Sequence, residues 1–473
     1  MTLPRWKVPK AWEWVQASEV ADIVGGGTPS TKDETNFAEP GAGVPWVGPA
    51  DLTGYVDTYI SRGRRDLTEK GLGASGATLM PKGTVLFSSR APIGYCSIAA
   101  NEISTNQGFK SWVCASDVMP EYVRHYLLSS VEYADSLASG TTFREVSGKR
   151  VGAMAFPLAP AAEQRRIVAK LDGLTARLAR ARAELDRVPV LAERLREVTL
   201  RKAYSPGTTP AELGDALDPG IDGRTLPVYP LAENWAWQAI GAIAAVTGGL
   251  TKNATRATLE TQVPYMRVAN VYANALRLDD VATIGCTPAE LAKTRVEPGD
   301  ILVVEGNGSL DQVGRAAMWN GEIEGCSHQK HLIRVRAGAS VLPEFMLWWL
   351  LSPEGRSRIE RLAASTSGLH TLSISKISGL PIPVPSLPVQ RTIVALITSA
   401  FARADRMEAE AARARALIDR LEASILAKAF RGELVPQDPA DEPASVLLER
   451  IRAQRAAAPK AKRGRRVKDS VDA

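Results

Sequence analysis

The chain has 473 residues, of which 45% are hydrophobic and 23% are charged, and its formal net charge is +6. This length exceeds what a single hydrophobic core usually supports, so we expect at least two domains. The composition excludes a disordered or collagen-like chain, and no apolar run approaches the ~20 residues that span a membrane. The basic excess favours an acidic partner, with nucleic acid as the first candidate.

The cysteines and the N-terminus indicate a reducing compartment. The four cysteines are widely spaced, without a CxxC pair: Cys96, Cys114, Cys286 and Cys326. They are typical of reduced, buried thiols rather than of a disulfide framework or a zinc site. Because the first residues lack the apolar core of a signal peptide, we expect a cytoplasmic location.

Residues 1–160 predict a globular domain of mixed α/β type. Short β-branched segments bounded by Gly and Pro alternate with one clear helix near 121–130. The glycines at 25–27 lack the spacing of a dinucleotide-binding loop and predict a turn. Polar residues in Gly-flanked loops are candidate DNA readers, since Arg suits guanine and side-chain amides suit adenine. They are Ser89, Arg90, Asn106, Gln107, Arg144 and Lys149. Ordinary loop and capping hydrogen bonds are the alternative for each of them singly.

Residues 161–205 predict a long central helix with a coiled-coil seam. Apolar residues recur there at alternating steps of three and four. The seam consists of Ile167, Leu171, Leu174, Leu178 and Leu185. Pro189 lies inside this pattern and removes a backbone donor, so we expect a kink or a break. Residues 206–230 are rich in Pro, Gly and Thr and predict a linker.

The second half of the chain repeats the first. Residues 231–385 predict a second globular domain, and residues 386–432 predict a distal helix whose apolar positions have the same phase. Its seam consists of Ile393, Ile397, Met407, Ile418 and Leu421. The match in phase predicts that the two helices pair within one chain. Residues 433–473 predict a tail with a short helix near 444–455 and a basic end.

The repeat predicts which residues of the two domains correspond. We align residues 44–47 with 263–266, residues 104–107 with 326–329, and Lys149 with Lys376. The corresponding loops differ in residue type, as two different half-site sequences would require. The candidate readers of the second domain are Asn307, Ser309, His328, Gln329, Lys330, His370 and Lys376.

Motifs of catalysis are absent from the sequence. It contains no phosphate loop, no nucleophile elbow, no H-E-x-x-H motif and no Asn-Pro-Pro-aromatic tetrapeptide. Cys326, His328 and His331 lie close together but lack a fourth ligand, so we interpret them as core and surface residues rather than as a metal site. We therefore expect a binding protein with no catalytic residue, metal or cofactor of its own.

Specific motifs carry a resemblance to a known family. Residues 157–168 and 383–394 each combine a Pro-rich approach with a Gln-Arg pair and an Ile-Val pair, and the second helix closes with residues 424–434. Together with the loop 307–310, these segments resemble the DNA specificity subunit of type I restriction-modification systems. The resemblance implies two α+β target-recognition domains separated by an antiparallel coiled coil of two long helices, with a pseudo-two-fold internal repeat. Each domain would read one half of a bipartite, asymmetric site.

The same resemblance implies partners and cofactors. Double-stranded DNA, two methyltransferase (modification) subunits and two restriction (translocase and nuclease) subunits are the expected partners, without a membrane. S-adenosylmethionine, ATP and Mg²⁺ would belong to those subunits, which methylate adenine N6 or cleave DNA with ATP. One departure is that residues 205–209 lack the Arg-Gly-Glu-Leu ending found at 431–434. The alternative is a coiled-coil scaffold whose two domains bind ligands or proteins.

Overall fold

The structure is a computed structural model that describes residues 6–140, 144–204, 218–219, 225–226, 231, 234–363 and 370–457. It divides into two compact units, Met1–Glu184 with Ala414–Ala473, and Leu185–Arg413. The predicted linker at 206–230 lies almost entirely outside the described residues, and the basic end of the tail lies wholly outside them. Within these ranges no helix combines the length and the apolar character needed to cross a bilayer.

The described part of the first unit's globular domain contains a five-stranded sheet, a four-stranded sheet and a strand pair. Its strands are β1 (Glu13–Gln16), β2 (Ala21–Gly25), β3 (Phe37–Ala38), β4 (Val44–Val47), β5 (Tyr59–Ile60), β6 (Arg65–Leu67), β7 (Val85–Ser89), β8 (Ile93–Ala99), β9 (Ser104–Thr105), β10 (Lys110–Cys114) and β11 (Ala155–Leu158). A five-stranded sheet has the order β2-β10-β7-β8-β5, a four-stranded sheet has the order β3-β6-β4-β9, and β1 pairs with β11. The helices of this domain are α1 (Ala17–Val20), α2 (Glu69–Gly73), α3 (Pro120–Ser129), α4 (Val131–Ser136) and α5 (Gly148–Gly152).

One long helical segment follows each domain. The first comprises α6 (Ala161–Asp186) and α7 (Val188–Tyr204). The strand pair β12 (Asp218–Pro219) and β13 (Thr225–Leu226) lies between this segment and the second domain.

The globular domain of the second unit repeats this plan. Its strands are β14 (Ala236–Ala239), β15 (Ala244–Gly248), β16 (Gln262–Met266), β17 (Val271–Tyr272), β18 (Ala275–Leu276), β19 (Ala282–Gly285), β20 (Ile301–Val304), β21 (Gly306–Asn307), β22 (Ala316–Met318), β23 (Ser327–His328), β24 (Leu332–Ala337), β25 (His370–Thr371) and β26 (Pro381–Val384). The orders are β15-β24-β20-β22, β19-β16-β23 and β14-β26, with the smaller pairs β17-β18 and β21-β25. The remaining helices are α8 (Ile240–Ile243), α9 (Pro288–Thr294), α10 (Pro343–Leu351), α11 (Pro353–Ala363), α12 (Ile374–Ser378), α13 (Leu387–Phe430) and α14 (Ala444–Ala457).

The strand register shows which residues of the two domains correspond. In the first domain β4 runs parallel to β9, with Trp46 opposite Ser104. In the second domain β16 runs parallel to β23, with Tyr265 opposite Ser327. Since Trp46 corresponds to Tyr265, Ser104 corresponds to Ser327 and not to Cys326. The predicted alignment of this segment is therefore wrong by one residue.

The alignment of α5 with α12 needs the same correction. The Ser147 hydroxyl caps α5 by accepting the N–H of Arg150, and the Ser373 hydroxyl caps α12 by accepting the N–H of Lys376. Lys376 therefore corresponds to Arg150 and not to Lys149. Sequence patterns do not show a one-residue gap inside a loop, whereas backbone hydrogen bonds locate it directly.

In the first unit, α6 packs against the C-terminal part of α13. Ile167 and Leu171, near the start of α6, join the core that contains Phe430 at the end of α13. Near the end of α6, Arg182 pairs with Glu422 at 2.6 Å. The two helical segments are therefore antiparallel, as predicted.

In the second unit, α7 packs against the N-terminal part of α13. Tyr204, the last residue of α7, shares a core with Ile397. One guanidinium nitrogen of Arg196, further back along α7, lies 2.6 Å from carboxylate oxygens of both Asp405 and Glu408. This half of the helical pair is antiparallel too, which confirms the predicted coiled coil within each unit.

Most of the predicted seam residues lie in the helical interface, and one does not. Leu421 is 49% exposed. The next residue, Glu422, faces α6 at this point and accepts a hydrogen bond from Arg182. A buried or half-buried position is found for Ile167, Leu171, Leu174, Leu178, Leu185, Ile393, Ile397, Met407 and Ile418.

The central helix is broken near Pro189. The segment α6 ends at Asp186 and α7 begins at Val188. Proline has no N–H to donate to the carbonyl four residues earlier, at Leu185, and its ring crowds that turn. The expected kink or break is therefore a break, and residues 161–205 form two helices rather than one.

A buried glutamine ties the start of each long helix to the domain before it. The Oε1 of Gln164 accepts the N–H of Met119 at 3.0 Å, and the Oε1 of Gln390 accepts the N–H of Leu342 at 2.8 Å. Both glutamine side chains also donate to carbonyls just before their own helices. Met119 and Leu342 are the N-cap residues of α3 and α10, whose first-turn donors need partners. This role explains why Gln opens both long helices.

An aromatic side chain closes each helical segment against a domain. Tyr204 packs on Phe345 and Trp349, with ring centroids 5.0 and 5.3 Å apart, and its hydroxyl donates to the Phe345 carbonyl at 2.6 Å. In the first unit, Phe430 packs in the same way on Tyr122 and Tyr126, with ring centroids 5.2 and 5.3 Å apart.

The tail forms α14 and packs on the first domain. This confirms the predicted short helix and adds that one face of it belongs to the core, with Ala444, Leu447, Leu448 and Ile451 buried. Ion pairs at 2.7–2.9 Å flank this face and join Arg450 to Asp117, Arg452 to Glu19 and Arg455 to Asp22.

Replacing Gln390 with leucine should destabilise the second unit. Leucine has a similar size, but it leaves the N–H of Leu342 and the carbonyls of Ser340 and Pro385 without their partner. We expect a loss of about 2–4 kcal/mol in the free energy of unfolding, measured by urea denaturation. Arg391→Gln, on the neighbouring exposed position, should change it by less than about 0.5 kcal/mol. Equal effects of the two substitutions would contradict this role of Gln390.

Candidate nucleic-acid interface

Several predicted readers of the first domain meet around Glu145. Arg90, directly after β7, lies with a guanidinium nitrogen 3.5 Å from the Glu145 carboxylate. Lys110, at the start of β10, donates to the same carboxylate at 3.1 Å and to the carbonyl of Gln107 at 3.2 Å. The loop after β9 and the end of β7 are thereby joined in one polar cluster with two cations and one anion.

Asn106 shapes the loop that carries Gln107. Its Oδ1 accepts the N–H of Gly108 at 2.8 Å. A Cβ added at Gly26 would lie 2.0 Å from the Asn106 carbonyl, so only glycine allows the two backbones to approach. The predicted turn at residues 25–27 is thus a close backbone crossing that begins where β2 ends. It leaves Gln107 exposed at the edge of the cluster.

Ser89 is not a reader. Its side chain is fully buried, and its hydroxyl donates to the carbonyl of Gly108 at 3.1 Å. The prediction is corrected here because the strand β7 continues through Ser89, which directs this side chain into the domain.

Arg144 and Lys149 lie beside the cluster in different states. Arg144 forms a bidentate ion pair with Asp135, at 3.2 and 2.9 Å. Its guanidinium group is therefore already paired with a carboxylate. Lys149 is exposed on α5, and a Cβ added at the adjacent Gly148 would lie 3.7 Å from the Lys110 side chain. Lys149 therefore follows a residue that lies close to Lys110, and its role as a reader stays a prediction.

In the second domain, four predicted readers meet at β21 and β25. Asn307 lies opposite His370 in the register of these strands. The Oδ1 of Asn307 accepts the N–H of Ser309 at 3.0 Å, which fixes the loop after β21. Lys376 donates to the carbonyl of Thr371 at 3.3 Å.

Gln329 and Lys330 form a second group, directly after β23. The Oε1 of Gln329 accepts the N–H of Val268 at 3.3 Å, and its backbone N–H donates to the carbonyl of Met266. Lys330 follows with an exposed side chain. By the corrected alignment these residues correspond to Asn106 and Gln107 of the first domain.

His328 belongs to the core. It is fully buried, and its Nδ1 lies 2.8 Å from the carbonyl of Thr294. Burial lowers the pKa of His328 to about 4, so the ring is neutral at neutral pH. The prediction of His328 as a reader is therefore corrected. The corresponding residue, Thr105, is buried as well.

The two domains place different chemistry at corresponding positions. The N–H of the residue after Glu145 donates to the carbonyl of the residue before Arg90, and the same bond links the neighbours of Thr371 and Gly306. The charged pair of the first domain is thus replaced by glycine and threonine in the second. This difference is of the kind that two unlike half-sites would require.

Lys110 and Glu145 were missed by the sequence analysis. Both contact the predicted residues of the first domain directly. Lys110 could have been found because it follows Gln107 at a spacing of three within a polar loop, but Glu145 could not. Its proximity depends on the pairing of its backbone with the segment after β7.

Among the described residues, no group of three or more His, Cys, Asp and Glu side chains could hold a metal ion. His331, the second histidine near Cys326, lies with its Nδ1 2.7 Å from the carboxylate of Glu305.

Comparisons with known proteins show which family this chain resembles. The family model "Type I restriction modification DNA specificity domain" matches residues 9–187. The StySPI specificity subunit of Salmonella potsdam is 26% identical over 96% of this chain and 97% of its own length. Along nearly its whole length the chain is similar to a type I restriction-modification specificity subunit. The MjaIX specificity subunit of Methanocaldococcus jannaschii is 38% identical, but over 35% of this chain and 38% of its own length.

Solved structures of this family share the fold. The HsdS subunit from Thermoanaerobacter tengcongensis aligns with a TM-score of 0.60 at 21% identity, covering 92% of this chain and 100% of that chain. A chain from a study of "complex assembly and conformational transition of the type I R-M system" aligns with a TM-score of 0.65 at 22% identity, over 91% of this chain and 100% of its own. The predicted fold class is therefore confirmed.

Acidification should destabilise the second domain through His328. In the folded state the pKa of His328 is about 4, so the neutral ring is favoured, whereas in the unfolded state the pKa has its ordinary value of about 6.5. Stability is therefore complete above pH 6.5 and falls by up to roughly 3 kcal/mol as the pH drops toward 4. Urea denaturation of His328→Thr, which copies Thr105, should lose this part of the pH dependence. His331→Thr, at an exposed position, is the control and should keep the wild-type pH dependence. If His328→Thr has the same pH dependence as the wild type, His328 is not the group responsible.

Proposed function

We propose that this specificity subunit reads a bipartite, asymmetric sequence in double-stranded DNA, one half with each globular domain. The observation that carries the proposal is the pair of corresponding polar clusters, around Glu145 and around β21 and β25, on one repeated fold. Base sequence is read by side chains that reach the groove edges, so equal scaffolds with unlike loops suit two unlike half-sites. The names of the relatives support DNA reading over the alternative of a ligand-binding scaffold.

The catalytic steps belong, in this proposal, to partner subunits. Two modification subunits would supply S-adenosylmethionine-dependent methylation of adenine N6, and two restriction subunits would supply ATP- and Mg²⁺-dependent translocation and cleavage. The chain itself would be a non-catalytic subunit that acts in the cytoplasm. The absence of catalytic sequence motifs and the specificity subunits among its relatives support this division of roles.

Exchange of one globular domain should change one half of the target. If residues 1–160 are replaced by the corresponding domain of another specificity subunit, the complex with the modification partner should methylate a hybrid site. Sequencing that detects methylated adenine in the host genome would give the target before and after the exchange. The half-site read by the second domain should stay unchanged. A change in both halves would contradict the assignment of one half-site to each domain.

Arg90 is the sharpest test of base reading in the first domain. Its guanidinium is half-exposed and pairs only loosely with Glu145, at 3.5 Å, so it is free to form two hydrogen bonds to guanine. Arg90→Ala should weaken binding to the specific duplex by about 1–3 kcal/mol and leave binding to random duplex nearly unchanged. Fluorescence anisotropy with the modification partner present measures both.

Lys82→Gln is the matched control for Arg90→Ala. Lys82 is exposed and precedes β7, whereas Arg90 follows it, so the two cations mark opposite ends of one strand. The control should bind both duplexes like the wild type. An equal loss on specific and random duplex in Arg90→Ala would instead make Arg90 a phosphate contact.

A further inference from the structure

The second domain has a β-hairpin without a counterpart among the described residues of the first domain. Strands β17 and β18 pair antiparallel, with Tyr272 opposite Ala275. Asn274, in the turn between them, has a φ of 52°, a left-handed conformation that asparagine tolerates better than most residues. The backbone N–H of Asn274 donates to the carbonyl of Ala316 on β22, which holds the hairpin against the four-stranded sheet.

Two guanidinium groups contact one aromatic ring of this hairpin. The Cζ of Arg277 lies 4.8 Å from the ring centroid of Tyr272, and the Cζ of Arg315 lies 5.2 Å from it. Each contact is favourable by itself, but two like charges on one ring repel each other. The Arg277 side chain is 60% exposed, and its ion pair with Asp279 is long, at 3.9 Å. This leaves most of its charge available to an anion.

Arg315 is positioned by an amide and not by an acid. Its Nη1 donates to the Oε1 of Gln312 at 3.0 Å, and the Nε2 of Gln312 donates to Asp311 at 2.6 Å. Within the described part of the chain, the Nε of Arg315 is buried without a hydrogen-bond partner. A guanidinium with an unused donor lacks the neutralising partner that a buried charge normally has.

The arginine pair adjoins both groups of predicted readers in this domain. Gln312, which holds Arg315, donates its backbone N–H to the carbonyl of Ser309 at 3.1 Å. On the other side, the N–H of Val268, which leads into the hairpin, donates to the Oε1 of Gln329. The hairpin therefore lies between the loop after β21 and the loop after β23.

We propose that Arg277 and Arg315, held on the ring of Tyr272, bind one backbone phosphate of the DNA next to the bases that the second domain reads. An anion that contacts both guanidinium groups would offset the repulsion between them. A phosphate contact positions the protein on the duplex and carries no sequence information. The proposal rests on the proposed function and adds a contact that the first domain does not match.

The test uses Arg277→Gln, Arg315→Gln and the double variant, each in complex with the modification partner. Affinity for a specific and a random duplex is measured by fluorescence anisotropy over a range of salt concentrations. Each single variant should bind both duplexes roughly three- to tenfold more weakly, and the salt dependence of the double variant should lose about one unit of slope. The methylated sequence should stay the same.

Two further variants separate charge from packing. Arg295→Gln removes an exposed cation of the same domain that is already paired with Glu297 at 3.3 Å, and its affinity should equal that of the wild type. Arg315→Lys keeps the charge and should recover part of the affinity lost in Arg315→Gln, which a packing defect alone does not explain. Thermal unfolding of all variants checks that the domain stays folded.

The outcomes distinguish this inference from the proposed function. A wild-type complex that prefers its specific duplex, together with a double variant of unchanged affinity and salt slope, overturns the phosphate site alone. A loss confined to the specific duplex, with a changed base preference, also overturns it, because the arginines would then read a base. A wild-type complex without any sequence preference overturns the proposed function and the phosphate site with it.

Discussion

The architecture depends on a buried glutamine at the start of each long helix. Gln164 and Gln390 each satisfy a backbone N–H at the head of a domain helix and a carbonyl at the head of their own helix. A side chain that serves two elements at once fixes their relative position, because losing it leaves several buried polar groups unpaired. Helix and domain are thereby joined into one cooperative unit.

The far end of each helical segment adds the apolar part of the same attachment. Tyr204 and Phe430 each insert between two aromatic residues of a domain helix, so each unit holds the start of one long segment and the end of the other. Between these ends the buried residues of α13 include the small residues Ala404 and Ala411. There Arg182 and Arg196 each bind two carboxylates spaced three residues apart on α13. Such partly exposed pairs contribute about 0–1 kcal/mol each, and their main effect is to set the helical register.

The candidate readers lie in loops whose side chains can change without changing the fold that supports them. In both domains a buried strand ends at a loop whose backbone geometry is repeated, while the side chains change from Arg90 and Glu145 to Gly306 and Thr371. The energy that holds the fold comes from the strands, the domain helices and the helix attachments, so the loops can vary without loss of the core. The hairpin that carries Tyr272, with Arg277 and Arg315 against its ring, is a further difference between the described parts of the two domains.

The sequence by itself determined the repeat, the two long helical segments, an interruption near Pro189 and the resemblance to a family. Periodicity, proline chemistry and motif spacing are properties of neighbouring residues, so they can be found in the sequence. Only the tertiary structure decided which loop residues face outward. Ser89 and His328 are polar yet buried, since each is the last residue of a strand inside its domain. Leu421 is exposed, whereas its neighbour Glu422 accepts a hydrogen bond from Arg182 of the other helix. Contacts such as Glu145 with Arg90, or Arg277 and Arg315 on one ring, join residues far apart in the chain, and no local pattern encodes such a meeting.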